Sequence, residues 1–407
     1  MIYLDHNATT PIAPEVLEVM MPYLTADWGN PSSTYKFGAK LKLALETARE
    51  QVAELIGASG REIVFTSCAT ESNNTAIQSA LKADPGKRHI VTSAVEHSSV
   101  LNHCGALEKD GYRVTYLPVD RDGLLKLADL ENAITDDTAI VSLMWANNET
   151  GVLFPVKEIA ELCRSRGVLF HCDAVQAAGK VPIDVRQMPA DYLSLTGHKL
   201  GAPKGIGALY VRRKAPFSPL IHGGHQERGR RGGTECVPII VGLGKATELA
   251  GKHLPDYERK VRPLRDALET GILGSCSSGR ESAPSAAPKN QSRFTSAATV
   301  AEEGTGIPHT ELNGHPTQRL ANTTNITFHG IESEALLILL DQEGICASSG
   351  SACLADSDEP SHVVKAMKPD STASRHMIRF SLGLTNSPAE VEAAIAAIRK
   401  AVNTLRA

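Results

Sequence analysis

Between residues 61 and 213 the chain passes through seven short stretches rich in β-branched and other apolar residues: REIVFT (61–66), HIVTSAV (89–95), YRVTYLPV (112–119), AIVSLMWAN (139–147), GVLFHCDAV (167–175), DYLSLTG (191–197) and IGALYVRR (206–213). Helical patterns lie between them, including ESNNTAIQSALK, SSVLNHCGALEKDG and PVKEIAELCRSRG, the last bounded by Pro155 and Gly167. Near-continuous apolar runs alternating with helices admit few architectures. The pattern predicts an α/β domain around a mostly parallel sheet.

After about residue 255 the pattern changes to long helices with few strands: LPDYERKVRPLRDALETGIL, NITFHGI, SEALLILLDQEG, MIRFSLG and SPAEVEAAIAAIRKAVNTLR. In the last of these Ser387 can cap, Pro388 occupies the first turn and Glu390 completes a capping box. A second, smaller domain is expected. Residues 274–306 are dominated by Ser, Ala, Gly, Pro and charge, with Phe294 their one aromatic. Such a stretch buries too little apolar surface to offset the entropy of ordering, so a flexible surface insertion is expected there.

A length of 407 residues accommodates two domains, and a formal net charge of -4 argues against nucleic acid or an anionic membrane as the main partner. The start, MIYLDHNATTP, lacks a basic flank and an apolar run, and no stretch approaches the roughly 18 apolar residues of a membrane span. A cytoplasmic protein is expected. Its eight cysteines are scattered without a CxxC pair and read as free thiols in a reducing compartment.

HCDAVQ (171–176) and LTGHK (195–199) each close a strand, which places Asp173, Gln176, His198 and Lys199 at the carboxyl edge of the sheet. Ligands bind at that edge in open α/β sheets. A lysine there can form a Schiff base with pyridoxal phosphate, PLP, and a buried carboxylate can face the pyridinium nitrogen. An opposite charge at about 4 Å contributes roughly 4 kcal/mol at an effective dielectric of 20, on the order of three pK units. One aspartate therefore suffices to keep the ring protonated near neutral pH. FTSCATESNN offers a phosphate site, since a strand ends at Thr66 and a helix begins near Thr70. Taken singly, such residues usually serve as surface, turn or cap groups; the ordered set carries the argument.

MIYLDHNATT, ATESNN, VEHSSV, NNETG, HCDAVQAAGK, SLTGHKLGAPKGIG, GGHQERGRRGGTE and SSGSAC together resemble the motifs of the NifS-like cysteine desulfurases, fold-type I PLP enzymes, over essentially the whole chain except residues 274–306. The resemblance implies an α/β fold-type I PLP-dependent transferase: a large PLP-binding domain (13–255) with a mostly parallel seven-stranded sheet, and a small α+β domain (1–12 and 256–407), paired as a homodimer. Lys199 is implied to be the Schiff-base lysine, Asp173 the partner of the pyridinium nitrogen and Gln176 that of the phenolic oxygen. His97 is implied to stack on the ring and shuttle protons. Thr70, Thr196 and His198 match phosphate contacts, with Ala69 and Gly197 beside them and Thr234 reaching across the dimer. Asn148 and Arg379 match groups that hold the substrate carboxylate, for which a guanidinium fork is suited. Two departures are visible: Cys68 precedes Ala69 where relatives often carry glycine, and Thr196 stands where serine is common.

Among the cysteines, Cys104 and Cys163 fall within apolar helix patterns, Cys172 faces away from Asp173 by strand alternation, and Cys346 belongs to a strand-like run. Cys353 differs. ASSGSA precedes it, so a mobile, exposed loop is expected to carry a nucleophilic thiol. The implied reaction has L-cysteine displace Lys199 from the cofactor, Lys199 take the Cα proton and Cys353 attack the substrate sulfur. A persulfide on Cys353 and L-alanine result. The implied acceptor is an iron-sulfur scaffold protein, with Cys353 a candidate transient iron-sulfur ligand through its persulfide. EPSHVVKAM and NGHPTQRLANTTNITF resemble the branch serving nitrogenase maturation. A selenocysteine lyase or aminotransferase on the same scaffold remains an alternative. So does an RNA- or scaffold-binding protein, or a metal site, using HGGHQERGRRGG (222–233).

Overall fold

The computed structural model describes residues 1–274, 306–350 and 360–407. Cys353, and all but the two end residues of the expected insertion at 274–306, lie outside the described residues.

All seven apolar runs become strands of one sheet: β2 (Ile63–Thr66), β3 (His89–Ser93), β4 (Arg113–Leu117), β5 (Thr138–Met144), β6 (Leu169–Asp173), β7 (Tyr192–Thr196) and β8 (Gly207–Val211). Their spatial order is β2-β8-β7-β6-β5-β3-β4, with β8 antiparallel to both neighbours and every other pair parallel. The interior strand β5 is buried at all its residues, whereas edge strand β4 has exposed ones. Burial on both faces explains why the central strands read as unbroken apolar runs.

Side-chain alternation sends neighbouring residues to opposite faces. Ile90 and Ile140 pack against α3 (Ala69–Ala83) and α4 (Ser98–Lys109), while Val91 and Val141 join the larger core on the other face. That core also receives α1 (Pro14–Thr25), α2 (Lys36–Leu55), α5 (Leu127–Ala133), α6 (Val156–Ser165) and α9 (His362–Met367). Burying one such aliphatic side chain contributes roughly 1.5–3 kcal/mol. Cys172 is fully buried in the larger core, opposite the face to which Asp173 projects.

A second core gathers around Phe328, Ile326, Ile378 and Phe380 on β10 (Thr323–Phe328) and β12 (Met377–Ser381). These strands and β9 (Thr310–Asn313) form an antiparallel sheet in the order β12-β10-β9. Leu4 joins it directly after the first strand, β1 (Ile2–Tyr3), which pairs in parallel with β11 (Ile345–Cys346). The helices α8 (Ser333–Gln342) and α10 (Pro388–Arg406) cover it, and the Ser387–Glu390 capping box opens α10. The change in pattern near residue 255 falls inside a continuous helix, α7 (Val237–Leu273), which carries Pro255 and Pro263. Its 37 residues span about 55 Å. Ile240, Leu243 and Ala246 enter the sheet core, and Val261, Leu268 and Ile272 the second. Where described residues resume after α7, Ile307 N donates to Ile272 O at 2.7 Å. Among the described residues no helix is long and apolar enough to cross a membrane.

Candidate active site

The carboxyl ends of β2, β5, β6 and β7 border a cavity of about 210 Å³. Cys68, Ala69 and Thr70 enter it from the end of β2, Asn148 from the turn after β5, and Asp173 and Gln176 from β6. Thr196, His198 and Lys199 enter from β7, His97 and Ser99 from the start of α4, and Arg379 from β12. The N-terminal segment closes one side with Asn7 and Ala8. This is the edge at which open α/β sheets bind ligands.

Lys199 ends a tight turn, Gly197–Lys199, directly after β7. Its Nζ donates to the backbone oxygen of Asn7 and, at 2.7 Å, to that of Ala8. A Cβ on Gly197 would lie 2.6 Å from Ile206 Cγ2, so the following GAPKGIG segment packs directly against this turn. Asp173 accepts from Asn73 Nδ2 at 2.8 Å on Oδ2 and from the Val175 amide at 3.0 Å on Oδ1. Gln176 is held at both ends: its Nε2 donates to Asn7 O at 3.0 Å, and its Oε1 accepts from Lys180 Nζ at 2.7 Å. Burial, then the charges of Lys199 and Arg379, push the Lys180 ammonium down to about 7.

His97 caps α4, its Nδ1 accepting from the Ser99 amide at 3.1 Å. Burial holds its pKa below the ordinary imidazole value against the opposing pull of Asp173, with Lys199 and His362 adding to the depression. Burial and the neighbouring Lys199, Lys204 and His97 bring His198 down to about 4. Its ring Nδ1 lies 3.3 Å from Thr9 Oγ1. Thr196 Oγ1 donates to Ile206 O at 3.3 Å.

Arg379 is buried, with one arm on Asp5 Oδ1 at 2.6 Å and the other donating to Asn148 O at 3.1 Å and Gly350 O at 2.8 Å. A carboxylate of the chain itself therefore occupies part of the fork expected to face substrate. Thr234 stands apart. It lines a second cavity with Thr66, Ser67, Glu227 and Arg231. Cys104 and Cys163 are buried thiols pushed up to about 12, mainly by burial, as befits inert core cysteines.

Several residues of this site escaped the sequence reading although they sit inside the motifs it used. Asn7 belongs to LDHNATT, Asn73 to ATESNN, Ser99 to VEHSSV and Lys180 to HCDAVQAAGK. Each acts by hydrogen bonding to a neighbour far away in sequence, and spacing carries no signal of that.

These residues fit pyridoxal phosphate. No side chain caps the N-terminus of α3, so its first-turn amides are available to an anion beside Ala69 and Thr70. Asn148 Oδ1 is buried with no protein partner among the described residues. An amine, a carboxylate and an anion-binding helix end converge on one cavity, matching the cofactor's aldehyde, ring nitrogen and phosphate.

The chain matches the family Aminotransferase class-V over residues 2–297 and 289–394. It is 51% identical over 406 residues to cysteine desulfurase 2 of Trichormus variabilis, covering 100% of this chain and 94% of that protein. Against cysteine desulfurase NifS of Azotobacter vinelandii it is 47% identical, with 100% and 93% covered. The chain belongs to the NifS-like cysteine desulfurases. A NifS-like protein from Rickettsia africae superposes with a TM-score of 0.83 at 32% identity, covering 99% of both chains. The structure of SspA in complex with cysteine does so at 0.77 and 35% identity, over 95% of this chain and 100% of that one. Membership in the NifS-like cysteine desulfurases accounts for the seven-stranded, mostly parallel sheet and for PLP as the cofactor of the class.

Proposed function

We propose that the chain is a cytoplasmic PLP-dependent cysteine desulfurase that converts L-cysteine to L-alanine and carries the removed sulfur as a persulfide on Cys353. The observation that carries this reading is the placement of Lys199, Asp173, His97 and Arg379 on one cavity, with Arg379 bonded to Gly350, three residues before Cys353. Three residues of extended chain span at most about 11 Å. Similarity to named cysteine desulfurases, at 46% identity even to IscS of Methanosarcina thermophila, supports it further.

Bound PLP supplies an electron sink for the substrate's Cα–H bond pair. Asp173, oriented by Asn73 and the Val175 amide, holds positive charge at the ring nitrogen. Asn148 and Arg379 orient the substrate carboxylate, Ala69, Thr70, Thr196, Gly197 and His198 hold the phosphate end, and Gln176 faces the phenolic oxygen. Lys199 Nζ would hold the cofactor covalently when it is bound, and its free amine would take the substrate Cα proton and return it to Cα after the sulfur has left. His97, kept neutral by burial, is suited to pass protons. Cys353 Sγ attacks the substrate sulfur; an S–S bond forms as the Cβ–S bond breaks, and the pair from that bond is protonated at Cβ. The sum is L-cysteine plus thiol giving L-alanine plus persulfide, with no external oxidant or reductant.

In this reading residues 13–255 form a large domain and residues 1–12 with 256–407 a small one. A homodimer completes each site with Thr234, which lies outside the cavity of its own chain. The acceptor is an iron-sulfur scaffold protein, and the NifS-type relatives favour a role in nitrogenase maturation. Borohydride reduction followed by peptide mass analysis should place the cofactor on Lys199. Incubation with L-cysteine should add one sulfur atom to Cys353 and release alanine. Release of a keto acid instead would show an aminotransferase, and salt-sensitive RNA binding without bound PLP a non-catalytic protein.

A further inference from the structure

Beyond β6 the HCDAVQAAGK segment winds: the Ala178 amide donates to Ala174 O at 2.9 Å and the Val181 amide to Ala177 O at 3.0 Å. Helical winding turns residues four apart to the same side, which brings Lys180 to Gln176. Gln176 lines the cavity; Lys180 is buried and does not. Its Nζ donates to Gln176 Oε1 at 2.7 Å and to Asn7 Oδ1 at 3.1 Å. Both acceptors are amide oxygens.

A buried ammonium without a carboxylate partner is costly. The charges that act on Lys180, those of Lys199 and Arg379, are both positive, and the nearby His6 is kept neutral by burial, which brings its pKa down to about 4. Anchoring the N-terminal segment does not require this cation. Asn7 Nδ2 already donates to Asn148 O at 3.1 Å and to Thr323 Oγ1 at 2.9 Å, and Asn7 Oδ1 accepts from Asn322 Nδ2 at 3.0 Å. What Lys180 adds is a donor for Gln176 Oε1. An ammonium donates and never accepts, so it takes only the oxygen end of a side-chain amide. The nitrogen end then meets Asn7 O at 3.0 Å, which spends one of its two N–H groups and leaves the other for the cavity.

We propose that Lys180 is a positioning residue for the cofactor site, holding the Gln176 amide by its oxygen so that the remaining N–H is presented to the phenolic oxygen of PLP. The inference rests on the reading of Gln176 as the partner of that oxygen. An N–H directed at a phenolic oxygen favours its ionised form and lowers the pH at which a neighbouring imine gains its proton, a change visible in the absorption of bound PLP. An amide released from Lys180 no longer has its oxygen anchored and loses that aim.

The test follows the visible absorption of the bound cofactor against pH in the holoenzymes Q176A, K180M and K180Q and in the double variants that combine Q176A with each, a readout that needs no turnover. Q176A and K180M should each raise the midpoint of the absorption change by about one pH unit, the size of one hydrogen bond to a charged group. K180Q, whose amide does not select the oxygen end of Gln176, should move the midpoint the same way and decides the matter if K180M does not fold. In the Q176A background either Lys180 variant should add less than half of its own shift, because its effect passes through the amide. An unmoved midpoint in Q176A overturns the reading of Gln176 and the inference with it. A midpoint that moves in Q176A but not in the Lys180 variants, or equal shifts from those variants with and without Gln176, overturns the positioning role alone.

Discussion

Asn73 Nδ2 donates to Asp173 Oδ2 at 2.8 Å, joining the interior of α3 to the last residue of β6 where the cavity opens. The same amide nitrogen lies 2.9 Å from Ser99 Oγ, which is 2.9 Å from His97 Nδ1. A continuous polar chain thus runs from the carboxylate expected to hold the ring nitrogen to the imidazole expected to move protons.

Breaking that chain at Asp173 and at Asn73 should give graded losses. D173A should lower alanine production roughly a hundredfold or more, because removing the carboxylate forfeits on the order of three pK units of ring protonation. N73A leaves the carboxylate but frees it to turn, and about a tenfold loss is expected. Steady-state alanine assays at saturating PLP measure both.

Glu96 supplies a pH signature. It is completely buried, with Oε1 accepting from Ser93 Oγ at 2.7 Å and from the Met144 amide at 3.0 Å, and Oε2 without a partner among the described residues. Burial, and secondarily the charge of Asp173, pushes its carboxyl up to about 8. Below the ordinary value of 4.5 both the folded and unfolded states are protonated and the site is pH-neutral. Between 4.5 and about 8 the unfolded chain has lost the proton while the folded protein keeps it, so stability falls as pH rises; above 8 the loss levels off. E96Q, which mimics the neutral acid, should flatten this slope by on the order of a few kcal/mol across the window, as read from urea unfolding at pH 5 and pH 8, about the two ends of it.

Gly207→Ala tests how tightly the phosphate end is built. A Cβ at Gly207 would sit 2.7 Å from the carbonyl carbon of Cys68 and 2.9 Å from Leu195 O, both backbone atoms that cannot swing aside. The start of α3 must then move away from β8. PLP affinity is expected to fall about tenfold or more, with overall folding retained, and a cofactor titration of the apoenzyme measures it.

Arg49 and Glu227 form a buried fork between α2 and the HQERGRRGG segment, with Nη1 to Oε2 at 2.6 Å and Nη2 to Oε1 at 2.8 Å. Glu227 Oε2 also accepts the Phe65 amide at 2.9 Å. R49A strands a buried carboxylate and should cost about 3–5 kcal/mol in urea unfolding. In this structure the arginine-rich tract is thus partly spent on internal ion pairs, Arg231 with Glu71 at 3.0 Å being another.

How much of this was legible in the chain follows from what kind of information each feature needs. The strands β2, β3 and β5 to β8 could be read because a strand buried on both faces must be apolar almost throughout, and the Ser387–Glu390 box marked the start of α10 because capping is local chemistry. Helices α1 and α2 and the short strands β1 and β9 left no comparable signal, since packing against partners distant in sequence stabilises them. The pattern change at 255 reflected a new environment for α7, not the end of a helix: one rod serves two cores in succession.

Lys199, Asp173, Gln176 and His198 could be placed because they close strands at the sheet edge where ligands bind, whereas His97 was legible only through the resemblance of VEHSSV to the family's motif. Sequence determined which groups are present and at which sheet edge they emerge. Tertiary structure alone decided that Asn7, from the N-terminal segment, would hold Lys199, Gln176 and Lys180 together, that Asp5 would take one arm of Arg379, and that Glu149 would touch both Gly350 and Ser361. The physical reason is that a hydrogen bond or a buried charge pair depends on distance in space, and segments hundreds of residues apart acquire a distance only when the cores between them have packed.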